Sequence, residues 1–310
     1  MQRLVVLAGP TASGKTHLAV TLAERLGAEL IGADSVQVYR RLDLGSAKPT
    51  PEELRGVRHH LLDVVDLDAH YDASRYVADA DAAIAEVRAR GKVPLVVGGT
   101  GLYIQALVRG LAMGIPADTA LRAQLHARAS SSPEALAAMH TELAKVDADY
   151  AAKIHPTDPI RIVRALEVFT LSGVPFSEHH RRHAAQPPRY DARVVALEVP
   201  RPELSARIAK RARQMLASGW IDEVNALLTE GYAPDLKPLR SVGYAEVVAW
   251  LRGGGGSVDA LHTAVVKATK GFAKRQRTWF RGEDDITWLA PDEVAREAFA
   301  DAWKSFLDGE

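Results

Sequence analysis

The sequence predicts an α/β protein: a parallel sheet flanked by helices, built around a phosphate-binding loop of the P-loop NTPase type and interrupted by an α-helical insertion. Three observations carry that prediction. Residues 9–16 read Gly-Pro-Thr-Ala-Ser-Gly-Lys-Thr, the spacing G-x-x-x-x-G-K-[ST]. Short β-branched runs alternate with helical stretches, which is the pattern of strands buried on both faces. Residues 112–188 then read as helix after helix with no strand between them.

The elements follow in order. Leu4-Val5-Val6-Leu7-Ala8 is a strand that delivers the chain into the loop. Gly9 and Gly14 let backbone N–H groups around Pro10, Thr11, Ala12 and Ser13 converge on an anionic oxygen cluster. Lys15 adds a point charge, and Thr16 offers a hydroxyl to Mg²⁺. The helix carrying Leu18, Ala19, Leu22, Ala23 and Leu26 points its positive end at the ligand. A diphosphate or triphosphate is therefore expected, without indication of which. A second strand, Leu30-Ile31, runs into Asp34, placed to meet either Mg²⁺ or the attacking group, or simply to cap a helix. Asp63, after Leu61-Leu62, is its rival as a Walker-B-type acid. Residues 93–97 are a third strand, followed by the turn Gly98-Gly99-Thr100-Gly101, where threonine suits a cap.

In the insertion, Asp158 reads as an N-cap with Pro159 at the first helical position. Arg161 and Arg164 then share one face, while Ile162, Leu166 and Phe169 form the apolar stripe. Both guanidinium groups are expected free for phosphates, unless Glu167 ties Arg164 down. The breaker cluster Gln186-Pro187-Pro188-Arg189 returns the chain to a strand over residues 193–199, and a last strand follows at Ile286–Leu289. Gly253 to Gly256 form a joint between two late helices. The expected organisation is a catalytic core of residues 1–111 and 189–310 with a helical domain of residues 112–188.

Thirty-nine basic and 39 acidic residues cancel, so a polyanionic partner has to be met by local patches. The chain has no cysteine, which excludes disulfides and thiolate chemistry. With no charged-then-apolar leader and no run long enough to span a membrane, the cytoplasm is the expected compartment. Residues 267–281 hold Lys267, Lys270, Lys274, Arg275, Arg277 and Arg281 with no acid. Phe272, Trp279 and Phe280 interleave with them, a combination suited to phosphates and unstacked bases or to packing the helix on the core. The adjacent His59 and His60 point to different faces and are assigned no metal.

The phosphate loop, the segment from Asp34 through Asp43, Gly45-Ser46-Ala47-Lys48-Pro49, His59-His60-Leu61-Leu62-Asp63 and Val97-Gly98-Gly99-Thr100-Gly101-Leu102-Tyr103 stand in the order and spacing of the tRNA dimethylallyltransferases. So do Ile154-His155-Pro156 through Asp158, then Arg161, Arg164, Ala165, Leu166 and Glu167, and the late Lys274-Arg275-Gln276. The chain resembles that family over almost its whole length. Ser46 and Thr157 depart from the usual Thr and Asn, and Val36 stands at a variable position; none removes a group the chemistry needs.

The resemblance implies transfer of a dimethylallyl group from dimethylallyl diphosphate to N6 of an adenine beside the tRNA anticodon. The loop would then hold diphosphate rather than ATP, with Mg²⁺ as cofactor. It implies Asp34 as general base, Thr100 lining the channel for a flipped base, and Arg207 as a further cation on the diphosphate, with Lys210, Arg211 and Arg213 nearby on the same helix. It assigns RNA contact to Ser35, Val36 and Gln37 beside Asp34 and Thr100, to Arg122, Ile160, Arg161 and Arg164, to Arg240 and Gly243, and to Lys274, Arg275 and Gln276. The expected partners are the anticodon stem-loop and dimethylallyl diphosphate, with one chain acting as a monomer. A small-molecule P-loop kinase, a transferase acting on free adenine nucleotide, and a non-catalytic RNA-binding module are the alternatives; the first two need neither the insertion nor the basic stretch.

Overall fold

The computed structural model describes residues 1–111 and 118–309. Six strands form one sheet: β1 (Gln2–Ala8), β2 (Ala28–Ala33), β3 (His59–His60), β4 (Val93–Gly98), β5 (Tyr190–Leu197) and β6 (Ile286–Leu289). Their order is β3-β2-β4-β1-β5-β6, and every pairing is parallel. The sheet is covered on both faces. Leu4, Val6 and Ala8 of β1 pack with Tyr76 and Tyr103 on one side, while Val5 and Leu7 pack with Leu18, Leu22 and Trp303 on the other. Side chains alternate between two apolar layers, so β1 reads as a continuous apolar run.

Registers Ala8↔Gly98 and Ala33↔Gly98 bring the carboxyl ends of β1, β2 and β4 level. The loops that leave them, at Gly9, Asp34 and Gly99, therefore open on one edge of the sheet, where ligands of open α/β folds bind. A Cβ at Gly98 would collide with the Ala33 carbonyl oxygen, which is why the end of β4 is glycine.

Residues Gly110–Pro188 form a compact unit separate from that of Met1–Arg109 with Arg189–Glu310. The junction expected at Ala112 falls outside the described residues. Among the described residues this unit contains no strand; helices Thr119–Ser131, Pro133–Val146 and Pro159–Ser172 enclose their own core of Met139, Leu143, Ile162 and Val163. Asp118, Ser132 and Asp158 cap these three helices, each side chain accepting from the backbone N–H three residues on. Two sequence expectations change. The two-residue β3 is an edge strand that composition does not signal, and β5 starts at Tyr190 and ends at Leu197, so Val199 lies beyond it. Among the described residues no helix is long and apolar enough to cross a membrane.

Candidate active site

The phosphate loop holds its shape through backbone conformations that favour glycine. Gly9 and Gly14 have φ of 156° and 89°, and Ala12 follows them into the left-handed region at 64°. A Cβ on Gly9 would stand 3.1 Å from Ser13 Oγ and 3.3 Å from Leu197 Cβ. Gly14 then opens helix Lys15–Leu26 without a side-chain cap, so no protein oxygen competes for its first N–H groups. Lys15 Nζ lies 3.4 Å from the Pro10 carbonyl. Burial lowers its pKa to about 8, Asp34 opposing and Arg211 adding to the shift.

Asp34 makes the capping contact its sequence context allowed and also lines the cavity beside the phosphate loop. One carboxylate oxygen, Oδ1, accepts from the N–H groups of Val36 (2.9 Å) and Gln37 (3.3 Å), which fixes the turn. Beside it Thr100 Oγ1 accepts from the Ser35 N–H at 3.0 Å, leaving its own proton to donate, and the Thr100 N–H reaches the Ala33 carbonyl at 3.1 Å. Lys15, Thr16, Asp34, Ser35, Gln37 and Thr100 line a single cavity of about 360 Å³. Ile208, Met215, Trp220 and Phe272 give one part of the wall an apolar surface, beside Arg211, Arg240 and Arg275. One cavity thus joins an anion cradle, a carboxylate and an apolar surface.

Several expected site residues hold the cavity together rather than facing a ligand. Gln276 is buried: its Oε1 accepts from the Thr11 N–H at 2.8 Å and its Nε2 donates to the Gly99 carbonyl at 2.9 Å, so it braces the phosphate loop against the turn after β4. One amide N–H and one oxygen lone pair remain, and Gln276 lines the cavity, so it stands inside the site rather than on the exposed basic face expected for it. The Gln37 amide nitrogen donates to the Ser46 and Ala47 carbonyls, both at 3.0 Å, which leaves only its oxygen for a ligand. Gly243 is buried at φ 93°, and a Cβ there would press on the Trp220 ring; it is glycine for packing, and no RNA contact follows from its position. Asp63 is removed as a rival to Asp34, since Lys48 Nζ binds it at 2.6 Å together with Asp43.

Arg207 and Arg211 lie one turn apart on helix Arg201–Ala217 and meet the loop differently. Arg207 donates to the Ser13 carbonyl at 3.1 Å and pairs with Glu203 at 2.5 Å. Arg211 donates to the Thr11 hydroxyl and lines the cavity. Burial holds the Arg211 guanidinium below its usual pKa range, with Asp34 opposing.

In the inserted unit Glu167 is fully buried and takes both arginines: Arg122 Nη2 at 2.8 Å and Arg164 Nη1 at 2.7 Å, all on Oε2. Arg164 is therefore not free, contrary to the expectation, and Arg122 is held with it. Arg161 stays largely exposed, 3.6 Å from its own capping Asp158, and Ile160 beside it is 73 % exposed. On helix Val258–Arg281 the basic residues also divide. Lys267, Lys270, Lys274 and Arg275 are exposed and Arg275 reaches the cavity, whereas Arg277 and Arg281 pair with Glu198 at 3.2 and 2.6 Å. Phe280 belongs to the core, Phe272 lines the cavity, and Trp279 lies over Gly101. Arg240 is exposed at the cavity rim.

Comparison with known proteins agrees with this architecture. A family model described as IPP transferase matches residues 37–283. The chain belongs to the IPP transferase family. A tRNA dimethylallyltransferase of Geobacter sulfurreducens is 47 % identical over 287 residues, covering 93 % of this chain and 91 % of the relative. Another, of Anaeromyxobacter sp. (strain K), is 49 % identical over 289 residues and 93 % of each chain. Among solved structures, the full-length tRNA isopentenylpyrophosphate transferase of Bacillus halodurans covers all of both chains at 35 % identity and a TM-score of 0.72. A eukaryotic dimethylallyltransferase acting on tRNA covers all of this chain and 80 % of its own at 25 % identity and a TM-score of 0.81.

The family span begins at Gln37, so the phosphate loop and Asp34 stand on their own geometry in this IPP transferase. Two groups escaped sequence reasoning. Arg211 was one of several basic residues on a helix, and the packing of Ile208 and Ala212 turns it toward the loop. The Gln276 brace joins positions 265 residues apart.

Proposed function

We propose that this tRNA-modifying transferase moves a dimethylallyl group from dimethylallyl diphosphate to N6 of the adenosine on the 3′ side of the anticodon, in tRNAs reading codons that begin with U. The carrying observation is the cavity that unites the phosphate loop, Asp34 and an apolar wall. A five-carbon allylic diphosphate needs the first and the last, and an exocyclic amine nucleophile needs the second.

In this reading, residues 9–16 with Arg207 and Arg211 hold the diphosphate. Negative charge develops on its oxygens as the C1–O bond breaks, where preorganised N–H groups and cations act best. The N6 lone pair forms the new C–N bond, and the N6 proton passes to the free oxygen of Asp34. Thr100 keeps the Ser35 backbone and the Asp34 turn in register while its hydroxyl faces the base. Among the described residues no trio of His, Cys, Asp or Glu is arranged to hold a metal. The oxygen donors available, Thr16 and Asp34, suit a hard cation that keeps its waters and takes phosphate oxygens, as Mg²⁺ does. When bound, Mg²⁺ supplies charge neutralisation to the leaving diphosphate.

The exposed Ile160, Arg161, Arg240, Lys274 and Arg275 are proposed to meet the anticodon stem-loop, with Arg122 and Arg164 presented in fixed orientation by Glu167. We assign the enzyme to the cytoplasm, acting as a monomer. The test is incubation of the purified protein with dimethylallyl diphosphate, Mg²⁺ and unmodified tRNA, then nuclease digestion and mass spectrometry for N6-dimethylallyladenosine. Product on tRNA and none on free AMP is expected; prenylated AMP without prenylated tRNA overturns the acceptor assignment.

A further inference from the structure

His59 and His60 are neighbours on β3 with opposite fates. His60 Nε2 is bonded to Glu29 Oε2 at 2.7 Å and belongs to a largely buried ion cluster that Arg90 completes. Both ring nitrogens of His59 are buried, and neither has a hydrogen-bond partner among the described residues. Its ring lines the same cavity as Lys15, Thr16 and Asp34. Burial lowers its pKa to about 4, so near neutral pH the ring carries one N–H donor and one lone pair, both facing no protein group. Leaving such a group unpaired is destabilising, and an apolar side chain of the same size would avoid that cost.

The strand beside it shows from which side the ring enters. Leu30 of β2 packs with Leu18, Ala19 and Val97 on the face covered by helix Lys15–Leu26, whereas Ile31 and Ala33 face the opposite layer. Gly32 alternates to the Leu30 side, and a Cβ there would stand 3.3 Å from His59 Nε2. The imidazole thus lies across β2 at Gly32, on the face covered by helix Lys15–Leu26, where a glycine makes room for it, and His59 lines the cavity. Asp34, two residues beyond Gly32, ends the same strand.

We propose that His59 is a positioning residue of the diphosphate end of this cavity, where its ring holds an ordered water that orients the cation and phosphate oxygens bound by Thr16 and the loop. The inference rests on the reading under Proposed function. The ring itself touches neither the prenyl carbon nor the adenine, so its effect is on how tightly the cation and diphosphate are held together.

The test compares wild type with His59→Leu and His59→Asn by thermal unfolding and by titrating Mn²⁺ in the presence of inorganic diphosphate, which requires no turnover. His59→Leu is expected to keep or raise the melting temperature while weakening Mn²⁺ binding about tenfold, the scale on which outer-shell partners act. His59→Asn, which retains a donor and an acceptor, is expected to recover at least half of that loss on a logarithmic scale. Mn²⁺ affinity unchanged in His59→Leu overturns the inference and leaves the ring as core filling. Should His59→Leu unfold, His59→Asn decides alone: equal loss of Mn²⁺ affinity and stability at that position means a structural role and also overturns it. A wild type that binds diphosphate and Mn²⁺ no better together than apart breaks the underlying donor reading instead, so the two failures are distinguishable.

Discussion

The cavity beside the phosphate loop and the Pro159–Ser172 helix of the inserted unit treat charge in opposite ways. In the helix, the buried carboxylate of Glu167 is shared by Arg122 and Arg164 at 2.8 and 2.7 Å, so each arginine is tied to an internal partner. In the cavity, Lys15 reaches a single carbonyl among the described residues, at 3.4 Å, and Asp34 spends one of its oxygens on the turn. Paired charge fixes orientation; charge held back from pairing is available to do chemistry, at a cost in stability the surrounding fold absorbs.

The sharpest break in this contrast is Asp34→Asn. The asparagine oxygen still accepts from Val36 and Gln37, so the turn survives, but the group no longer takes a proton. Transfer to tRNA is expected to fall at least about a hundredfold, the usual scale of general-base loss, with tRNA affinity by filter binding unchanged. Retained turnover would return Asp34 to a capping role.

Glu167→Leu attacks the paired side. Burial alone would raise the Glu167 carboxyl, but hydrogen bonds from Arg122 and Arg164 outweigh it and hold its pKa below the usual range. Removing the acceptor leaves two guanidinium groups without their partner; because their side chains are 38 % and 29 % exposed, water replaces part of the pairing and the cost is about 1–3 kcal/mol. We expect a lower melting temperature and weaker tRNA binding, with dimethylallyl diphosphate affinity by calorimetry unaffected. Loss of diphosphate affinity would mean that the helix contributes to the donor site.

How far these roles were legible depended on sequence separation. β1 and β4 were legible because burial on both faces leaves an uninterrupted apolar run, and the loop because glycine is needed where φ is positive. β3 was not, since its two residues are both histidine and its strand identity comes only from pairing with Leu30 and Ile31. Asp34 was legible as cap or catalyst because both need an acid at a strand end. The Glu167 pairing to Arg164 lies within one turn and was anticipated as an alternative, whereas Arg122, 45 residues away, carries no local signature. Gln276 looked like part of a basic recognition stretch for the same reason: its partners, Thr11 and Gly99, are brought to it only by the sheet.

Lys15 separates the two regions by pH. Its pKa, lowered to about 8 chiefly by burial, means that the free enzyme loses the lysine charge as pH rises through 8. Affinity for inorganic diphosphate should then fall by up to about tenfold per pH unit, and Lys15→Met should flatten the profile. The unfolded chain binds this proton more tightly, so between about 8 and 10.5 the same group makes the fold more stable with rising pH, the reverse of its effect on the ligand. A diphosphate affinity flat from pH 7 to 9 would show that the loop amides, not Lys15, carry the binding.

The smallest effect belongs to a third paired site, distant from the chemistry. The hydrogen bond from Arg90 lowers the Glu29 pKa to about 2 against the desolvation that would raise it, with His60 adding to the fall. A carboxyl depressed in the folded state contributes stability above its unfolded value near 4.5 and loses it as pH falls toward 2. Because Arg90 is 37 % exposed, solvent screening cuts the contribution to about 1 kcal/mol. Glu29→Gln should therefore lower stability by about that amount at pH 7 and converge on wild type near pH 2, while transfer activity stays unchanged. His59 stands next to His60 on β3 but has no share in this cluster; if Glu29→Gln also altered Mn²⁺ binding with diphosphate, the division between the paired and the unpaired histidine would fail.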